Sequence, residues 1–150
     1  MPSERNTWAA RYSRWRLRRR VKKALALNRR GEVRADALVP THLENRLTID
    51  WCARDVHPWD RDLRPDDIAR LFAQQCLEDV SAAIDRLFLE LPEIDLVDFR
   101  VSESDSLSSI LYGSVTRSAA EAVEAKSVVM KLKQLGVTFR LVNRNLEHLG

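Results

Sequence analysis

A chain of 150 residues is long enough to bury one substantial core. Its 45% hydrophobic and 31% charged content, with 4 Gly and 5 Pro, argues against long disordered stretches, and its apolar runs fall short of the roughly 20 residues that a membrane-spanning helix takes. The net charge of +3 hides a division: residues 1–34 hold 12 Lys and Arg against 2 Glu, net +10, while residues 35–150 hold 13 against 20 acids, net −7.

The first predicted element is the basic arm, residues 1–34. Its centre, RYSRWRLRRRVKK at 11–23, carries 8 Lys and Arg and no acid. A helix over 8–27 would sort this stretch into two sides. Trp8, Tyr12, Trp15, Arg19, Lys22 and Lys23 fall together, flanked by Arg11 and Arg16, and Leu17, Val21 and Ala24 fall opposite. The aliphatic side is expected to pack on the rest of the chain, with the basic, aromatic side outward. The ALAL that follows is too brief for the apolar region of a secretory signal.

The body, residues 35–150, is predicted to be a single α+β domain. RLTIDWCAR at 46–54 alternates strictly, with Leu47, Ile49, Trp51 and Ala53 on one face, as a half-buried strand does. A loop with Pro58 and Pro65 follows, in which Trp59 and Pro58 are expected to pin the chain to the body. A long helix is predicted from Pro65 to Glu90, with Asp66 and Asp67 at its N-terminus and Ile68, Phe72, Cys76, Val80, Ile84, Leu87 and Leu91 on its apolar side. IDLVDFRV at 94–101 and SILYGSVTR at 109–117 read as a strand hairpin. Ser118 and Glu121 have the spacing of a capping box, so a helix is predicted from Ser118 to Leu135, stopped by Gly136. VTFRLV at 137–142 reads as the last strand, and NRNLEHLG as a short polar tail.

The resulting order, β-α-β-β-α-β, resembles the ferredoxin-like sandwich, an antiparallel sheet with both helices on one face. That resemblance is one of fold and implies no function.

The candidate binding residues lie in the arm: Arg11, Arg14, Trp15, Arg16, Arg18, Arg19, Arg20, Lys22 and Lys23. Arg and Lys neutralise phosphates, and flat aromatic rings offer stacking surfaces to unpaired bases. Charges and aromatics share one side here, whereas a membrane-surface helix separates them. Nucleic acid is therefore the expected partner. The alternative is another protein chain, including a second copy, whose acidic body accepts the arm.

The remaining constellations point to no reaction. Asp55, His57, Asp60 and Asp62 form the one cluster of His and carboxylates, in a loop after the first strand, with a spacing that matches no metal-ligand motif. Glu124-Ala125-Lys126 has the letters of a nuclease motif, but lies within a predicted helix with no acidic strand before it. The RNA-recognition motif shares the element order, yet its paired strand aromatics are missing here, with Tyr112 alone placed to face outward. The four glycines lie too far apart for a phosphate loop, and Cys52 and Cys76 are expected to be reduced thiols. The expectation is a non-enzymatic, cytoplasmic binding protein without cofactor, metal or catalytic residues.

Overall fold

The computed structural model describes residues 4–25, 41–43, 45–56, 58–103 and 108–149, and for residues 4–14, 41–43, 58 and 61 the backbone alone. Helix α1 spans Glu4–Leu25, followed by strands β1 (Thr41–Leu43) and β2 (Arg46–Cys52) and a 3-10 turn at Pro58–Asp62. Helix α2 covers Pro65–Glu90, strand β3 Leu96–Ser102 and strand β4 Ser109–Thr116. Two short helices, α3 (Arg117–Ala122) and α4 (Val128–Gln134), lead to β5 (Thr138–Phe139), β6 (Leu141–Val142) and β7 (Asn145–Leu146).

The strand alternation buries one face of the sheet, as the sequence predicts: Leu47, Ile49 and Trp51 on β2, Val97, Phe99 and Val101 on β3. The register aligns these residues across the sheet, Leu47 beside Val97 beside Val115, and Trp51 beside Val101 beside Leu111. The Trp51 and Phe99 rings stack with centroids 5.6 Å apart. In the middle row Gly113 stands opposite Phe99. A Cβ there would lie 3.2 Å from the Val137 backbone and 3.4 Å from the Phe99 ring, so a larger residue would push the Val137 segment away by a few tenths of an ångström.

Against this face lies α2, which buries Cys76, Val80, Ile84 and Leu87 among others. Pro65 opens the helix, with Asp66 and Asp67 facing its positive end. Val21, Ala24 and Leu25 of α1 and Leu132 of α4 join the same hydrophobic cluster, and the ion pair Lys131–Asp85, at 2.6 Å, ties α4 to α2.

The fold is α+β, but its sheet differs from the ferredoxin-like expectation. The strands run in the order β1-β2-β3-β4-β5, and β2 and β3 are adjacent and parallel, so no strand splits the β2-α2-β3 unit. The expected antiparallel sheet is thus corrected to a mixed one. The ferredoxin-like order inserts its third strand between the first two, but here β4 pairs on the outer side of β3, which leaves β2 and β3 directly paired, with β1 on the free edge of β2 and β5 beside β4. Side-chain alternation fixes which face a strand buries and is silent on which neighbour it pairs with.

The predicted second helix is broken. Thr116, not Ser118, caps α3, accepting from Ala119 N–H at 3.2 Å, and the backbone turns extended at Val123. Ser127 then caps α4, accepting from Met130 N–H at 3.2 Å. Helix α4 ends as predicted at Gly136, with φ of 81°. Gly136 N–H donates to Lys133 C=O and Val137 N–H to Leu132 C=O, the paired bonds of a Schellman motif. The predicted last strand is also divided. Part of it pairs with the tail as a β6–β7 hairpin, turned by Asn143 and Arg144 at φ of 50° and 67°, the left-handed pair that a two-residue turn demands.

Candidate functional site

Helix α1 is placed by its apolar side. Val21, Ala24 and Leu25 are buried and Leu17 is partly buried against the same cluster, which seats the helix on α2. The predicted division of sides holds over the residues whose side chains are described. Trp15, Arg16, Arg18, Arg19, Lys22 and Lys23 are all exposed. Trp15 is 55% exposed, and the Arg19 guanidinium lies 5.4 Å from its ring centroid, a cation–π arrangement that steadies both side chains. Lys22 and Lys23 occupy the last turn of α1, where its negative end favours cations.

Arg20 departs from the expected set. Its guanidinium turns along the α1–α2 boundary and donates to both oxygens of Glu93, at 2.5 and 3.1 Å, and to the Glu90 carbonyl at 2.7 Å. Lys23 lies 3.8 Å from the Glu90 carboxylate and is largely solvated. Thus cations on the flank of α1 that meets α2 pair with the body, while those on the outer side are exposed. Arg11 and Arg14 lie within the helical backbone, and their side chains, with those of Trp8 and Tyr12, fall outside the described residues.

Polar contacts fasten the loop after β2. Arg54 makes a two-pronged pair with Asp79 at 2.6 and 3.1 Å, and the Gln75 amide donates to the Arg54 and Asp55 carbonyls at 3.0 and 3.3 Å. Val56 is buried, whereas Trp59 is 85% exposed. His57 lies outside the described residues, Asp60 is half-buried and Asp62 exposed. Among the described residues no group of His, Cys, Asp and Glu is placed to hold a metal ion. Glu124 and Lys126 stand in the irregular link between α3 and α4, exposed and away from any strand.

The sheet face turned away from the helices is polar. Its centre is Asp98, whose carboxylate accepts from Arg46 Nε and Ser114 Oγ. Burial opposes its ionisation, but the hydrogen bonds from Ser114 and Arg46, the charge of Arg46 and the Thr48 hydroxyl outweigh it and hold the carboxyl below its ordinary range. Tyr112 does face outward, in register with Arg100. Cys52 and Cys76 are both free thiols. Burial, with Asp79 and Glu103 adding and Arg54 opposing, pushes the Cys76 thiol up to about 12, so it stays protonated and unreactive.

Sequence reasoning missed the Asp98 hub because Arg46, Asp98 and Ser114 come from three strands and meet only through register. Among the described residues no helix is long and apolar enough to cross a membrane. Compared with known proteins, the chain matches no family model, no curated protein and no solved structure.

Proposed function

We propose that this is a non-enzymatic binding protein that holds nucleic acid by its phosphates along the outer side of α1, within the cytoplasm. The carrying observation is that Arg16, Arg18, Arg19, Lys22 and Lys23 are exposed on a helix whose opposite side is locked into the core. A row of cations on a helix already seated by its apolar side meets a phosphate backbone without the backbone of the helix having to be ordered first, and releases condensed counterions on contact. Such contacts position the protein and carry little sequence information. Arg11 and Arg14 would extend the row, and Arg20 would serve to seat the helix. No cofactor or catalytic residue enters this reading.

The test keeps the chain whole, because removing α1 would strip Val21, Ala24 and Leu25 from the core. Binding of a labelled mixed-sequence DNA is measured across a salt series. The expected affinity falls linearly in a log–log plot, and reversing Arg16 and Lys22 to Glu weakens binding and flattens the slope by about 1 for each lost phosphate contact. Unchanged low-salt affinity after both reversals would end the proposal.

A second reading is favoured by Arg20, whose pairing with Glu93 and the Glu90 carbonyl puts a cation of α1 on an acidic part of the body. In it, the remaining cations meet acidic residues of another protein or a second copy. A mass that rises with protein concentration, and returns to that of a monomer after the same reversals, would select it.

A further inference from the structure

We infer that the nucleic acid held by α1 is single-stranded, with an unpaired base stacked on the Trp15 indole. This rests on the nucleic-acid reading above and adds the strandedness of the ligand. Phosphate neutralisation alone would need only the cations, yet α1 offers an indole among them, 55% exposed and with the Arg19 guanidinium 5.4 Å from its centroid. In a duplex the base faces are closed by stacking, and an indole on the phosphate-binding side meets only sugar and phosphate. A single strand presents what this surface complements, a free base face beside a phosphate, and stacking on an aromatic plane is tolerant of sequence.

Helix geometry puts the two functions side by side. Trp15, Arg19 and Lys22 follow at steps of four and three residues, and Lys23 lies four after Arg19, so they share one side of the helix, with Arg16 and Arg18 on its flanks. The buried Val21, Ala24 and Leu25 fix the direction in which that stripe points. A Trp side chain has two torsions to order, fewer than any cation near it, so the stack costs little entropy. Arg19 lies close enough to the ring to steady it and still belongs to the exposed cationic row.

The experiment uses the full chain, a labelled mixed-sequence DNA strand of about 20 nucleotides, which exceeds the usual span of one binding surface, and the duplex of the same sequence. Trp15→Ala is compared with the parent and with Trp15→Tyr over a salt series. Because Trp15 is on the surface, the variants are expected to fold as the parent does. The single strand is expected to bind more tightly than the duplex. Trp15→Ala should weaken single-strand binding by about 5- to 150-fold and leave duplex binding and both salt slopes unchanged, and Trp15→Tyr should recover most of the loss. Salt-dependent binding in which Trp15→Ala weakens neither form, or both equally, would overturn the stacking inference and leave the phosphate reading standing. Absence of salt-dependent binding to either form would overturn both.

Discussion

Arg117, the first residue of α3, closes the C-terminus of α2 from outside the helix. The last turn of α2 carries no basic residue and is followed by Pro92, so its carbonyls need donors from elsewhere. The guanidinium donates to the carbonyls of Phe88 at 3.1 Å, Leu91 at 2.9 Å and Ile94 at 2.7 and 3.0 Å, and lies 4.9 Å from the centroid of the Phe88 ring. Arg117→Met keeps much of the side chain's bulk and removes every donor. It is expected to cost about 2–3 kcal/mol in urea unfolding. Arg117→Lys should recover less than half, because one ammonium cannot span carbonyls that a planar fork reaches together. A cost under about 0.5 kcal/mol would mean that solvent serves these carbonyls equally well.

Asp98 makes a prediction in pH. Its carboxyl is held below the ordinary range near 3.9, so the stability it adds is present above that value and is lost as pH falls through its lower folded value. The stability gap between the parent and Asp98→Asn should therefore be constant from pH 7 to about pH 5 and close below about pH 4. A gap of equal size at pH 3 would show that the carboxylate's charge is not what Arg46 and Ser114 respond to. At this scale the sequence is legible where burial follows period. Trp51 falls on the apolar phase of β2 and is buried, while Trp59 lies in a loop with no period to place it and is 85% exposed.

Among elements, the long, strongly periodic ones are the readable ones. Pro65, Asp66 and Asp67 mark the start of α2, Pro92 its stop, and the intervening apolar spacing leaves no competing period. The break between α3 and α4 is harder to read because several residues there could cap a helix. Ser118 and Glu121 have the capping-box spacing, but Thr116 lies at the end of β4 with the extended backbone that a cap requires and takes the Ala119 N–H first. Ser127 is likewise extended and takes the Met130 N–H. Ser127→Ala is expected to cost about 1 kcal/mol, and Ser118→Ala less than about 0.5 kcal/mol, in thermal or urea unfolding. Equal costs would return the cap to Ser118. The sheet order is illegible for another reason: alternation does not say on which side of β3 the next strand pairs, and β4 takes the outer side rather than the place between β2 and β3, while β1 and β5, three and two residues long, are too short to show alternation at all.

Across the whole molecule, the charge division along the sequence becomes a division across one helix. The side of α1 that meets α2 is apolar or neutralised by Glu90 and Glu93, and the outer side keeps its cations. Because Leu25 of α1 is 1% exposed and shares a cluster with Ile84 and Val97, the basic helix belongs to the same packed unit as the sheet. Two optical probes can test this. Far-ultraviolet circular dichroism reports the helices, and near-ultraviolet dichroism the packed Trp51–Phe99 pair in the sheet. In the parent protein the two should fall together in one urea transition. Leu25→Ala should lower stability by about 2–5 kcal/mol with the two probes still coincident, since the lost side chain supports α1 and the sheet together. If far-ultraviolet signal is lost first, in parent or variant, α1 leaves as a separate unit. On the proposed phosphate-binding reading, the cationic stripe would then have to be ordered again each time it bound, at a cost of about 1–2 kcal/mol for every residue refixed.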